Sequence, residues 1–235
     1  MRFAYLIEPP FNYRRPDGSV AGCDVELART VFAELGVGRF EPIEAEFAEL
    51  MPGVARGRWR MTTGLFPTEE RRRQVSFSRP IWALPDGLLV RKGNPKRLEG
   101  YASVARSDCK LAVIRDQFQH RSAVEFGIPA DRIMIFETYA EAAKAVEAGV
   151  VDAYASVARA HAGFLTQHAE MDAEVVNVPA NEKQPAFGAF AFAIDDDDFR
   201  ASVDQVLAAY LGTPAHRAMM AEYGFDDAEI DLLVA

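Results

Sequence analysis

The chain predicts an α/β fold in two lobes, on three observations. Apolar runs of strand length alternate with amphipathic runs at helical spacing. That order is typical of parallel strands covered on both faces by helices. The cycle is punctuated at Lys92-Gly93-Asn94-Pro95 and then starts afresh, which divides it into two α/β bodies. Of the 235 residues, 49% are hydrophobic and 26% charged, enough to bury a core in each body.

The elements follow in order. Residues 3–7 read as a strand, broken by Pro9-Pro10, and Pro16-Asp17-Gly18 signals a turn. Residues 24–35 carry Val25, Leu27, Ala28, Val31, Phe32 and Leu35 at helical spacing, with Gly36 as the stop. Residues 40–45 read as a strand and 47–55 as a short helix closed by Gly57. Residues 75–80 and 82–91 are extended. In the second cycle, strands at 110–114, 132–136 and 151–156 alternate with helices at 119–126, 139–148 and 158–167. Strands at 175–178 and 187–194 come next, the latter almost wholly apolar. Helices at 199–211 and 214–223 follow, and Gly224 stops the second. The aspartate run at 195–198 reads as a solvated turn whose last member caps the helix from Phe199.

Composition excludes several classes. A net charge of -9, from 35 acidic and 26 basic residues, disfavours a nucleic-acid partner. No apolar run approaches the ~20 residues that cross a bilayer. Met1-Arg2 leads straight into a strand, with no signal peptide before it. Two alternatives are open: a cytoplasmic protein, or one whose leader was removed. Cys23 and Cys109 read as small buried hydrophobes that are not joined. The histidines at 120, 161, 168 and 216 lack zinc spacing and are expected to be solvated. Trp59 and Trp82 read as packing residues. No metal, cofactor or catalytic group is expected, because nucleophile elbows and glycine-rich phosphate loops are both absent.

The most informative stretch is Gly64 to Pro80, GLFPTEERRRQVSFSRP. An apolar segment stops at Pro67. Thr68 suits a helix cap, and Glu69 and Glu70 suit the positive end of that helix. The turn therefore holds an arginine beside a strand end. A guanidinium there suits a small carboxylate, whose two oxygens match its planar fork.

Several segments, taken in order, resemble the amino-acid-type (family 3) solute-binding proteins of ABC transporters. They are Glu8-Pro9-Pro10-Phe11, the run Pro16 to Ala28, Leu50-Met51-Pro52-Gly53 with Gly57-Arg58, and Thr68 to Pro80. Lys92-Gly93-Asn94-Pro95, Gly149-Val150-Val151-Asp152-Ala153 and Tyr223-Gly224-Phe225 complete the set. The resemblance implies a two-lobed periplasmic-binding-protein fold (type II), with two mixed sheets flanked by helices and joined by two hinge strands. Lobe 1 would comprise residues 1–90 and 187–235, and lobe 2 residues 91–186. The crossings would fall near Val90-Arg91 and Pro185 to Phe187.

By the same resemblance, Arg71 grips the ligand carboxylate and Phe11 supplies an aromatic wall. Three departures from the family pattern stand out. Phe66 replaces the usual hydroxyl residue, Asp116-Gln117-Phe118-Gln119 replaces Gly-Thr, and Val157 replaces the aspartate that receives an α-ammonium. An α-amino acid without that acceptor leaves its ammonium desolvated and unpaired. Phe11, Phe47 and Phe66 would instead form an aromatic box, worth roughly 0.5–2 kcal/mol per ring for a delocalised cation.

Together with Glu8 and Arg71, this box resembles the ectoine and hydroxyectoine-binding branch, although the Phe47-to-Phe66 spacing here is one residue shorter than in that branch. Arg71 would take the carboxylate and Glu8 the amidinium. Gly64, Gln117, Phe118 and Ser156 complete the expected ligand-binding set. The implied function is capture of a small zwitterion, an ectoine-like solute or a polar amino acid, by hinge closure in the interlobe cleft. A periplasmic monomer would then deliver it to a membrane permease. Two alternatives share the fold: a cyclohexadienyl or arogenate dehydratase, with Glu8 or His120 as acid, and the sensor domain of a receptor.

Overall fold

The computed structural model describes residues 1–234 and comprises two compact units. Unit 1 is Met1–Ala83 with the chain from Phe187 on; unit 2 is Leu84–Ala186. The first crossing therefore falls at Ala83/Leu84, before residues 84–90, which the sequence reading assigned to lobe 1.

Unit 1 opens with β1 (Arg2–Tyr5), the hairpin β2 (Tyr13–Arg14) and β3 (Val20–Ala21), and α1 (Cys23–Glu34). Next come β4 (Glu41–Glu44), α2 (Phe47–Ala55), β5 (Met61–Leu65), the one-turn α3 (Glu69–Arg72) and β6 (Val75–Leu84). β1 ends short of the expected Ile7 because the chain turns. The Glu8 carbonyl accepts from the N–H groups of Phe11 (3.0 Å) and Asn12 (3.1 Å). α1 buries Val25, Leu27, Ala28, Val31 and Phe32, as its spacing predicts. β1 runs parallel to both β4 and β5.

Unit 2 begins with β7 (Asp86–Arg91), α4 (Tyr101–Arg106), β8 (Leu111–Ile114), α5 (Phe118–Glu125) and β9 (Ile133–Phe136). It continues with α6 (Tyr139–Glu147), β10 (Ala153–Val157), α7 (Ala158–Gln167) and β11 (Ala173–Asn177). The sheet order is β11-β7-β10-β8-β9, parallel among β8, β9 and β10 and antiparallel at β7. β7 pairs with both β10 and β11, which is why residues 84–90 group with unit 2. Leu88, Val90, Tyr101, Leu111, Val113 and Ala155 share its core. α4 escapes the sequence reading because it buries only Tyr101 and Val104, too few for a periodic signal.

The chain returns to unit 1 as β12 (Ala186–Ala193), α8 (Asp197–Tyr210), α9 (Pro214–Glu222) and α10 (Asp227–Val234). β12 lies between β5 and β6 in the order β4-β1-β5-β12-β6, so this sheet is mixed as well. The aspartate run departs from expectation. Asp196, not Asp198, is at the N-cap, and its carboxylate pairs with Arg60 at 2.7 Å instead of capping. Cys23 and Cys109 are buried and unbonded, one in each unit.

Two histidines expected to be solvated, His161 and His216, are fully buried. His161 sits between the Tyr139 hydroxyl and the Gly87 carbonyl, and burial lowers its pKa from 6.5 to about 3. It stays neutral in the fold but takes a proton in the unfolded chain below pH 6.5, so acid favours unfolding. Between pH 7 and pH 5 this residue is expected to remove about 2 kcal/mol of stability. Urea titrations of the parent and His161→Gln at pH 7 and pH 5 test this. Equal losses in the two proteins would exclude it.

Candidate functional site

The sequence-selected residues of unit 1 emerge from the same edge of its sheet. β1 lies between β4 and β5 and runs parallel to both. Glu8 follows the carboxyl end of β1, Phe47 opens α2 just after β4, and Phe66 follows β5. Ligands of open α/β sheets bind outside the carboxyl ends of the strands. Here three such ends lie side by side.

Arg71 is positioned by local chemistry. Thr68 caps α3 by accepting from the Arg71 N–H at 3.2 Å. The guanidinium turns back on the strand end, and its Nη1 donates to the Phe66 carbonyl at 3.1 Å. Its Cζ lies 5.4 Å from the centre of the Phe47 ring. Arg71 is only 9% exposed, unlike its neighbours Arg72 and Arg73, which are exposed. A guanidinium held this far from water has the chemistry to receive a carboxylate.

The aromatic residues gather around a tryptophan that the sequence reading gave only a packing role. The Trp82 ring centre lies 5.3 Å from Phe11 and 5.6 Å from Phe66. Gly64 belongs to the same cluster, since a Cβ there would lie 2.6 Å from the indole. Glu8 is half-buried and bridges to Asn12 across the turn that presents Phe11. Beneath this layer is a buried polar residue not foreseen, Asp24, to which the Trp82 Nε1–H donates. Strand glycines were the available signal, because they mark close approach of a neighbour.

In unit 2, Gln117 and Phe118 follow the carboxyl end of β8, and Ser156 lies near that of β10, which runs parallel to β8. Gln117 is 6% exposed, and its Oε1 has no hydrogen-bond partner among the described residues. Val157 stands opposite Asp86 in the β10–β7 ladder. The Asp86 carboxylate is already engaged: it accepts from Tyr101 Oη (2.6 Å) and Gln119 Nε2 (2.9 Å) and pairs with Lys183. Lys183 Nζ also lies 4.8 Å from the centre of the Phe118 ring. This network was not foreseen either. Among the described residues, no three His, Cys, Asp or Glu side chains could together hold a metal ion.

Comparison with known proteins gives a consistent set of relatives. Residues 1–225 match the bacterial extracellular solute-binding proteins, family 3. A probable amino-acid ABC transporter periplasmic-binding protein, y4tE of Sinorhizobium fredii, is 30% identical over 224 residues, 93% of this chain and 74% of its own. The arginine-binding protein ArgT of Corynebacterium glutamicum is 25% identical over 228 residues, 95% of this chain and 73% of its own. Among solved structures, EhuB in complex with hydroxyectoine is similar with a TM-score of 0.89 and 27% identity, over 98% of this chain and 90% of that one.

Proposed function

The chain belongs to the bacterial extracellular solute-binding proteins, family 3, the solute-capturing components of ABC importers, and from this we propose that its ligand is a compact zwitterion with a delocalised cation. Ectoine or hydroxyectoine is the first choice. One observation carries the reading: a buried guanidinium, Arg71, is fixed against Phe47 and the Phe66 carbonyl, at the end of the ring series Phe11, Trp82, Phe66. The guanidinium suits a carboxylate and the rings suit a soft cation, with Glu8 as its counter-charge. The engagement of Asp86 supports the same reading, because the acid opposite Val157 already has three donors. Gly64, Gln117, Phe118 and Ser156 complete the proposed contact set. Hinge closure on the ligand, delivery to a membrane permease, a monomeric state and a periplasmic location after loss of a leader belong to the same proposal.

A thermal-shift panel of ectoine, hydroxyectoine, betaines, glutamine, histidine and arginine tests it. A ligand at 100 times its dissociation constant adds about 2.7 kcal/mol of stability, which raises Tm by roughly 5–10 °C in a protein of this size. The ectoines are expected to give the largest shift. A response to amino acids alone would refute the ligand class and leave the family membership intact.

A polar amino acid is the second reading. It is favoured by the buried, unpartnered Oε1 of Gln117, which suits an ammonium, and by the name of the Corynebacterium relative. Under it, Phe66→Ser is expected to tighten amino-acid binding, because it restores the hydroxyl usual in the family. Under the first reading, the same change removes a ring and weakens ectoine binding by about 3- to 30-fold. Calorimetry on this one variant separates the two. The dehydratase alternative gains no support, since the relatives are named as binding proteins of transporters.

A further inference from the structure

We infer that Trp82 sets the spacing of the aromatic wall at this site and that Asp24 is the positioning residue that holds Trp82. The inference rests on the reading of the Phe11, Phe66 and Arg71 cluster as a ligand platform. Trp82 is the ring shared by Phe11 and Phe66, tilted 40° to the first and 76° to the second. Its own position is confined on both sides. A Cβ at Gly64 would lie 2.6 Å from the indole, and one at Gly188 2.2 Å from it. Two strands thus leave out a side chain at the same ring.

The remaining freedom of the indole is removed by Asp24, which is 1% exposed. Trp82 Nε1–H donates to Asp24 Oδ1 at 3.1 Å. The other oxygen accepts from the Thr63 hydroxyl at 2.5 Å and from the Gly64 N–H at 2.9 Å. The Cys23 thiol approaches Oδ1 at 3.7 Å, and Asn12 Nδ2 donates to Thr63 Oγ1 at 2.9 Å. Among the described residues, the groups that hydrogen-bond to this carboxylate are all donors, and none of them is a cation. An ionised carboxylate only accepts, so it satisfies all of them at once; an amide turns an N–H₂ toward one of these donors. Burial raises the Asp24 carboxyl, and the hydrogen bonds from Thr63, Gly64 and Trp82 pull it back toward the ionised form. A hydrogen bond from indole N–H to a buried carboxylate also makes the ring more electron-rich, which strengthens its interaction with a cation.

A double-mutant cycle tests the coupling. Calorimetry with hydroxyectoine and with arginine is run on Trp82→Phe, Asp24→Asn and the double variant. The compound that binds the parent is expected to bind Asp24→Asn about 10- to 30-fold more weakly, and the double variant no more weakly than that. Additive losses, or an Asp24→Asn affinity within about threefold of the parent, would overturn the inference. Thr63→Val removes one donor from the same carboxylate and serves if Asp24→Asn does not fold. It is expected to cost about threefold, and an unchanged affinity counts against the inference.

A ligand-free readout makes the test independent of the ligand's identity. With two tryptophans in the chain, Trp59→Phe leaves Trp82 as the sole emitter. Adding Asp24→Asn, or Thr63→Val in its place, is expected to shift that emission. An unchanged spectrum overturns the positioning role. If the parent binds neither compound, the ligand reading fails while the emission still decides the role of Asp24.

Discussion

Arg71→Ala is expected to abolish ligand binding while the protein remains folded. The side chain combines the fork proposed to receive a carboxylate with a hydrogen bond to the Phe66 carbonyl and a cation–π contact with Phe47. A charge-assisted fork contributes roughly 1.5–3 kcal/mol, and a desolvated carboxylate left without it makes the total loss about 2–5 kcal/mol. At 1.4 kcal/mol per tenfold, affinity should fall by about 30-fold to several thousandfold. The α3 cap from Thr68 uses the backbone N–H of Arg71 and survives the change. Arg71→Lys should also bind poorly, since a point charge cannot reproduce two parallel N–H donors. Calorimetry with hydroxyectoine, or with whichever panel compound stabilises the parent, gives the answer. An affinity for either variant within about threefold of the parent would exclude this role for Arg71.

The largest effect on stability is expected at Lys183, in unit 2. Its ammonium pairs with Asp86, whose side chain is fully buried. Lys183→Met leaves that carboxylate with only neutral donors, Tyr101 and Gln119. Removing one member of a buried pair strands the other charge, at a cost of about 3–5 kcal/mol. The location makes the loss consequential. Asp86 opens β7 just after the first chain crossing, and Lys183 shortly precedes the second, so the pair joins both segments by which unit 2 is attached to the chain. Asp86→Asn in the Lys183→Met background keeps an acceptor for Tyr101 and carries no charge, and it should recover most of the loss. Urea unfolding decides: a Lys183→Met protein within about 1 kcal/mol of the parent, or no recovery in the double variant, would contradict this account.

Residues near in sequence were legible at the site. Thr68, Glu69 and Arg71 lie within one turn, so the cap and the direction of the guanidinium follow from local chemistry. Phe11 and Phe66 were selected through the family resemblance, Phe11 as an aromatic wall in the first loop and Phe66 as a departure from the usual hydroxyl residue. Trp82 was assigned to packing because its neighbours, Gly64 on β5 and Gly188 on β12, come from distant segments. Nothing local marks the indole N–H as bonded to Asp24, which lies 58 positions away. The Asp86–Lys183 contact spans 97 positions and was invisible for the same reason.

The sequence by itself determined the alternation of strands and helices, the two α/β bodies, the membership of a solute-binding family and the arginine in a capped helical turn after a strand. All of these follow from periodicity, turn residues or motifs within a few positions of one another, where propensity and hydrogen-bonding chemistry act directly on the chain. Only the tertiary structure decided where one body ends and the next begins, because residues 81–90 form one nearly continuous buried run. Assignment of residues 84–90 depended on which strands bond to β7, and those are β10 and β11. It likewise decided which polar groups are buried together, Asp24 with Trp82, Asp86 with Lys183 and His161 with Tyr139. Burial of such groups is set by desolvation, which depends on everything packed around them.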